Sequence, residues 1–129
     1  MISHSMLELA KLTFNNLSNE VYANNVKAGW FRDPKTGRKI NRDPMVMLML
    51  IVTEVAEAAE GLRKNIPDTH LPNRPMVEVE LADVLVRVFE LAGYLDLDLG
   101  GAFVEKVHYN ASRQDHTLAA RAAPGGKSC

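Results

Sequence analysis

Glu54-x-x-Glu57 and Glu80-x-x-Asp83 set two carboxylate pairs, each at i,i+3 spacing, into the two most apolar stretches of the chain. Residues three apart share a helix face, so each pair points one way. If the two helices lie side by side, four acids converge among Met, Leu, Val and Ala, where like charges repel and lose solvation. Such a set calls for a cation. Asp and Glu without His or Cys suit hard ions, Mg²⁺ or Mn²⁺ rather than Zn²⁺. His4, His70, His108 and His116 stand singly, with no Glu-x-x-His or His-x-x-x-His pairing, which argues against zinc and di-iron sites. Mg²⁺ keeps waters and shares its coordination with substrate phosphates, so the expected substrate is phosphorylated.

A lone Glu-x-x-Glu is ordinarily a solvated stripe, and Glu60–Lys64 and Asp83–Arg87 are available as helix salt links. Here both pairs interrupt otherwise apolar helices. A single connection between Glu57 and Glu80 would also fold those helices back as an antiparallel hairpin, with the pairs opposed.

Lys106, Asn110 and Arg113 fall at i, i+4 and i+7 with Tyr109 beside them, a face whose donors suit phosphate oxygens or, alternatively, a solvent-facing stripe at a helix end. Trp30-Phe31 lies among Arg32, Lys35, Arg38, Lys39 and Arg42. Trp30 either stacks on a base or plugs its loop onto the core. Asn15, Asn16, Asn19, Asn24 and Asn25 make the first helix rich in amides, and either they or Asp33 could read a base edge beside Trp30. Acceptors of that kind take guanine's N–H donors, which favours a purine such as dGTP over dUTP or dCTP.

Helical spacing of Leu7, Leu9, Leu12, Phe14, Leu17, Val21, Tyr22 and Val26 predicts a first helix over about Met6 to Lys27. Gly29, Pro34 and Gly37 make the next stretch a loop. Asp43-Pro44 reads as N-cap and first-turn proline of a second helix ending near Lys64, before Asn65 and Pro67. Pro75 opens a third helix to about Leu95, and Asp98 caps a fourth to about Arg113. The third is apolar over most of its circumference, with Glu80, Asp83, Arg87, Glu90 and Tyr94 as a narrow polar stripe, so it should be buried nearly all round. Four short helices cannot shield two such elements. The second and third helices are therefore expected to pack against another copy, as a homodimer or tetramer.

With 129 residues the chain is expected to form one all-α domain over 1–116, a four-helix bundle, with 117–129 as a flexible tail. A net charge of -1 gives no general attraction to a nucleic acid polymer or a membrane, and the longest apolar run, Met45 to Val52, is too short to span a bilayer. The opening residues lack the pattern of a secretory signal. The single Cys129 allows no disulfide within the chain, which suits a reducing cytoplasm.

Together these residues resemble the MazG-like all-α nucleoside triphosphate pyrophosphohydrolases. The family's Glu-x-x-Glu, spacer, Glu-x-x-Asp motif is matched by Glu54-Val55-Ala56-Glu57 and Glu80-Leu81-Ala82-Asp83, and its downstream element by Lys106, Tyr109, Asn110 and Arg113. Gly29-Trp30-Phe31 is similar to the aromatic step before the catalytic helix in compact phage- and integron-type members, so that the likeness spans about residues 5 to 114. The resemblance implies hydrolysis of a (deoxy)nucleoside triphosphate to the monophosphate and pyrophosphate, in a bacterial cytoplasm or a phage-infected host. It gives Glu54, Glu57, Glu80 and Asp83 to catalysis and Mg²⁺ ions, with Mn²⁺ as a substitute, and Lys106, Tyr109, Asn110 and Arg113 to the phosphates. Trp30, Asn15 and Asp33 are left for the base. Some relatives carry an acid directly before the first motif Glu, and here that position is Thr53. One of the four carboxylates could instead take the proton from water, or a metal-activated water could need no base. Alternatives to this activity are a non-catalytic helical oligomer that binds nucleotide or protein, and a dUTP, dCTP or nucleoside diphosphate hydrolase using the same metals.

Overall fold

Asp43 accepts a hydrogen bond from the Met45 N–H at 2.9 Å, and Pro44 fills the first turn, where a missing N–H costs nothing. That start is repeated with variations along the chain. Among the described residues, 2–127, a computed structural model places α1 (His4–Lys27), α2 (Pro44–Lys64), α3 (Met76–Tyr94), α4 (Leu99–Ser112) and α5 (Leu118–Ala122), with a 3-10 turn at Gln114–His116. Cys129 lies outside the described residues. Asn65, left-handed at φ 51°, closes α2, and Asp98 caps α4 by accepting from the Gly101 N–H at 2.8 Å. Isolated β-bridges pair Arg32 with Lys39 and Pro67 with Pro75, but no strand forms among the described residues, so the class is all-α. No described helix is long and apolar enough to cross a membrane.

The sequence reads as a flexible tail beyond His116, and within it the short helix α5 forms. Thr117 accepts from the Ala120 N–H at 3.2 Å, and Leu-Ala-Ala-Arg-Ala is strongly helix-favouring.

The described residues group into two compact units. In the first, residues 2–14 and 98–127, Leu7 is buried and the Phe14 and Phe103 rings meet at 4.9 Å. Gly100 lies against the Lys11 backbone, where a side chain would collide with the carbonyl.

The second unit, Asn15–Leu97, holds α2 and α3 as an antiparallel pair: Gly61 near the end of α2 meets Met76 and Val77 at the start of α3, while Glu54 meets Arg87 further along. The C-terminal part of α1 closes on α3 at Gly93, where a Cβ would sit 2.2 Å from the Ser18 carbonyl oxygen, so only glycine permits this approach. Phe31, Met47 and Leu91 form the buried core, with Tyr22, Ile51 and Tyr94 against them. Gly29, at φ 90°, turns the chain out of α1 so that Phe31 can point inward.

Within one chain α2 and α3 are not buried nearly all round. Met49, Val52 and Val55 on α2 and Leu81 and Leu85 on α3 are each half exposed or more. Each helix spends one face on the other and leaves further apolar surface open.

Candidate metal and substrate site

Helical spacing turns Glu54 and Glu57 of α2 toward Glu80 of α3, and the antiparallel pairing brings one carboxylate oxygen from each within 4.8 Å of the others. Glu54 and Glu80 are 8% and 6% exposed, whereas Glu57 is open to solvent. Asp83, also open, lines the same cavity of about 450 Å³. Burial pushes the Glu80 carboxyl up from its ordinary 4.5, and the neighbouring charges of Glu57, Glu54, Asp83 and Asp68 push it further. This is an all-oxygen donor set whose mutual repulsion a cation would relieve, and Glu54, Glu57 and Glu80 could hold a hard metal ion.

Asp68 is a fifth acid that the motif spacing does not reveal. It is buried in the connection between α2 and α3, where its Oδ1 accepts from the His70 and Leu71 N–H groups at 2.8 and 2.7 Å, and it lines the same cavity. An Asp followed by such a turn is the only local signal, and nothing in it points to Glu80.

Arg87 does not pair with Asp83 along α3. Its Nε donates across to Glu54 Oε1, because the hairpin brings that buried carboxylate to the same face. The expected Glu60–Lys64 link does form, at 2.7 Å, and Arg63 joins it at 2.8 Å. Hydrogen bonds from Arg63 and Lys64 pull Glu60 down to about 2, which marks it as a surface salt link apart from the acid cluster.

Glu54 and Asp83 also line a second cavity, of about 390 Å³, together with Trp30, Asn25, Arg42, Arg87 and Glu90. Buried Glu90 accepts at Oε1 from Asn25 Nδ2 at 2.9 Å and from Arg42 Nη1 at 3.2 Å. The Arg42 backbone is held in turn by the Tyr94 hydroxyl, which donates to its carbonyl at 3.1 Å, and its guanidinium lies 5.4 Å from the Phe31 ring centre. Of the two loop aromatics, Phe31 is the plug, buried against Tyr22 and Tyr94, and Trp30 stays 66% exposed. An aromatic step of two residues can turn only one ring inward, so the plug role considered for Trp30 belongs to its neighbour.

Asp33 and Asn15 are not among the residues that line the Trp30 cavity. Asp33 instead folds its own loop, accepting at Oδ1 from the Lys35 and Thr36 N–H groups at 3.0 and 2.7 Å and from the Thr36 hydroxyl at 2.9 Å, and these bonds lower its pKa. Asn15 is ten residues before Asn25 on α1, roughly 15 Å along the helix axis. Thr53 donates its hydroxyl to the Leu50 carbonyl at 2.7 Å.

Lys106, Tyr109, Asn110 and Arg113 belong to the first unit. Lys106 and Arg113 lie 4.8 and 5.7 Å from the centre of the Tyr109 ring. Arg113 is just past the end of α4, with its N–H on the Asn110 carbonyl and its guanidinium on Asp115, which that contact holds well below the usual carboxylate range. The expected cationic face therefore includes a built-in anion.

Neither the protein-family models nor the curated proteins nor the solved structures contain a match to this chain.

Proposed function

We propose that this protein is a divalent-cation-dependent, MazG-like nucleoside triphosphate pyrophosphohydrolase that releases monophosphate and pyrophosphate in the cytoplasm. The observation that carries this reading is the convergence of Glu54, Glu57 and Glu80, with Asp83, beside a cavity that also holds Trp30. Mg²⁺, with Mn²⁺ as a substitute, would be held by those four acids and supply activation of water and neutralisation of charge developing at the α-phosphorus and on the leaving pyrophosphate. Water attacks the α-phosphorus, and the bond to the α,β-bridging oxygen breaks. One of the four carboxylates can accept the water's proton, or a metal-activated water needs no base.

Trp30 offers an open ring for stacking. With its Nδ2 spent on Glu90, Asn25 offers Oδ1 as an acceptor for base N–H groups, which favours a purine such as dGTP. The phosphate-binding role of Lys106, Tyr109, Asn110 and Arg113 rests on the resemblance alone. Self-association as a dimer or tetramer would cover the open apolar surface of α2 and α3.

The test is a panel of the common NTPs and dNTPs with Mg²⁺, Mn²⁺ or EDTA, detecting pyrophosphate and orthophosphate separately. Metal-dependent pyrophosphate from at least one nucleotide is expected. Stabilisation by nucleotide without turnover would replace the enzyme with a binding module, and orthophosphate alone would move cleavage to the terminal phosphate, leaving the diphosphate as product.

A further inference from the structure

Arg87 stands between the acid cluster and the Trp30 cavity. Its Nε edge is engaged by Glu54, whose buried charge requires a cationic partner. Its Nη groups have no partner among the described residues. Elsewhere the chain uses arginine as a fork: Arg63 puts Nε and Nη2 on the two oxygens of Glu60, and Arg113 does the same on Asp115. A planar guanidinium gains most from such two-point contact, so a one-edge contact at a buried carboxylate leaves a directed pair of donors unspent. Arg87 is about one-third exposed and lines the cavity, where those donors can meet an incoming anion.

We propose that Arg87 is a substrate-phosphate ligand: Glu54 fixes its Nε edge, and its Nη edge binds a phosphate oxygen of the triphosphate next to the acid cluster. This rests on the nucleotide reading above for the identity of the substrate, but the anion site itself does not. Glu54 then has two tasks, as a member of the acid cluster and as the group that aims Arg87.

The experiment is calorimetric titration of full-length protein with inorganic triphosphate at constant Mg²⁺, comparing wild type, Arg87→Lys and Arg87→Gln, alongside melting temperatures without ligand. Lysine can keep a charge against Glu54 but has no second edge, so it separates the anion site from the fold. Wild type is expected to bind, with Arg87→Lys at least tenfold weaker and melting within about 2 °C of wild type, and Arg87→Gln weaker again. Equal affinity in wild type and Arg87→Lys, or no binding by wild type, overturns the proposal. Arg87-dependent triphosphate binding without pyrophosphate release from any nucleotide would instead sink the hydrolase reading and leave this one standing.

Discussion

Glu80 is the carboxylate on which the electrostatics of the site converge, buried and facing Glu57, Glu54, Asp83 and Asp68. Its folded-state pKa is raised, so the folded protein holds that proton more tightly than the unfolded chain does. The stability this contributes is fully present below the unfolded value near 4.5 and is lost as pH rises through the higher folded value. In EDTA, thermal melts from pH 4 to 8 should therefore show a decline that Glu80→Gln removes, the variant melting about 3 °C higher at pH 7.5. Saturating Mn²⁺ should reverse that order. Glu57→Gln and Asp83→Asn should each abolish pyrophosphate release, by at least a hundredfold, with unchanged helical circular dichroism; full activity in either would remove it from the site. The acid pairs were legible because i,i+3 spacing is a local property. The pairings of Arg87 with Glu54 and Asn25 with Glu90, 33 and 65 residues apart, depend on how the helices meet, which no local spacing encodes.

At the scale of elements, caps and prolines made α2, α3 and α4 readable nearly to their ends, since Asp43-Pro44, Pro75 and Asp98 act on adjacent backbone. What escaped is which side of the loop after α1 turns inward. Phe31 and Trp30 have comparable apolar rings, and the choice is made by the space between Tyr22 and Tyr94. Phe31→Ala should cost roughly 3–5 kcal/mol in urea unfolding. Trp30→Ala should leave the urea midpoint nearly unchanged and raise KM for nucleotide. Gly93→Ala tests the approach of α1 to α3: with a backbone carbonyl in the way, it should cost roughly 2–3 kcal/mol, and a neutral result would mean the helices are further apart.

The molecule as a whole leaves Met49, Val52, Val55, Leu81 and Leu85 exposed in a chain whose net charge is only -1, so little electrostatic repulsion opposes association. Apolar periodicity marked α2 and α3 as helices with apolar residues on more than one face, and within one chain part of that surface is open. It does not encode what covers it. Light scattering should find two or four times 14.3 kDa, and Val52→Glu with Leu85→Glu should yield monomer; a monodisperse wild-type monomer at micromolar concentration would end the self-association reading. Attack of water at the α-phosphorus can be followed by turnover in ¹⁸O-labelled water and mass spectrometry of both products. The label is expected in the nucleoside monophosphate and not in pyrophosphate; label in pyrophosphate or orthophosphate would mean that water attacks a different phosphorus.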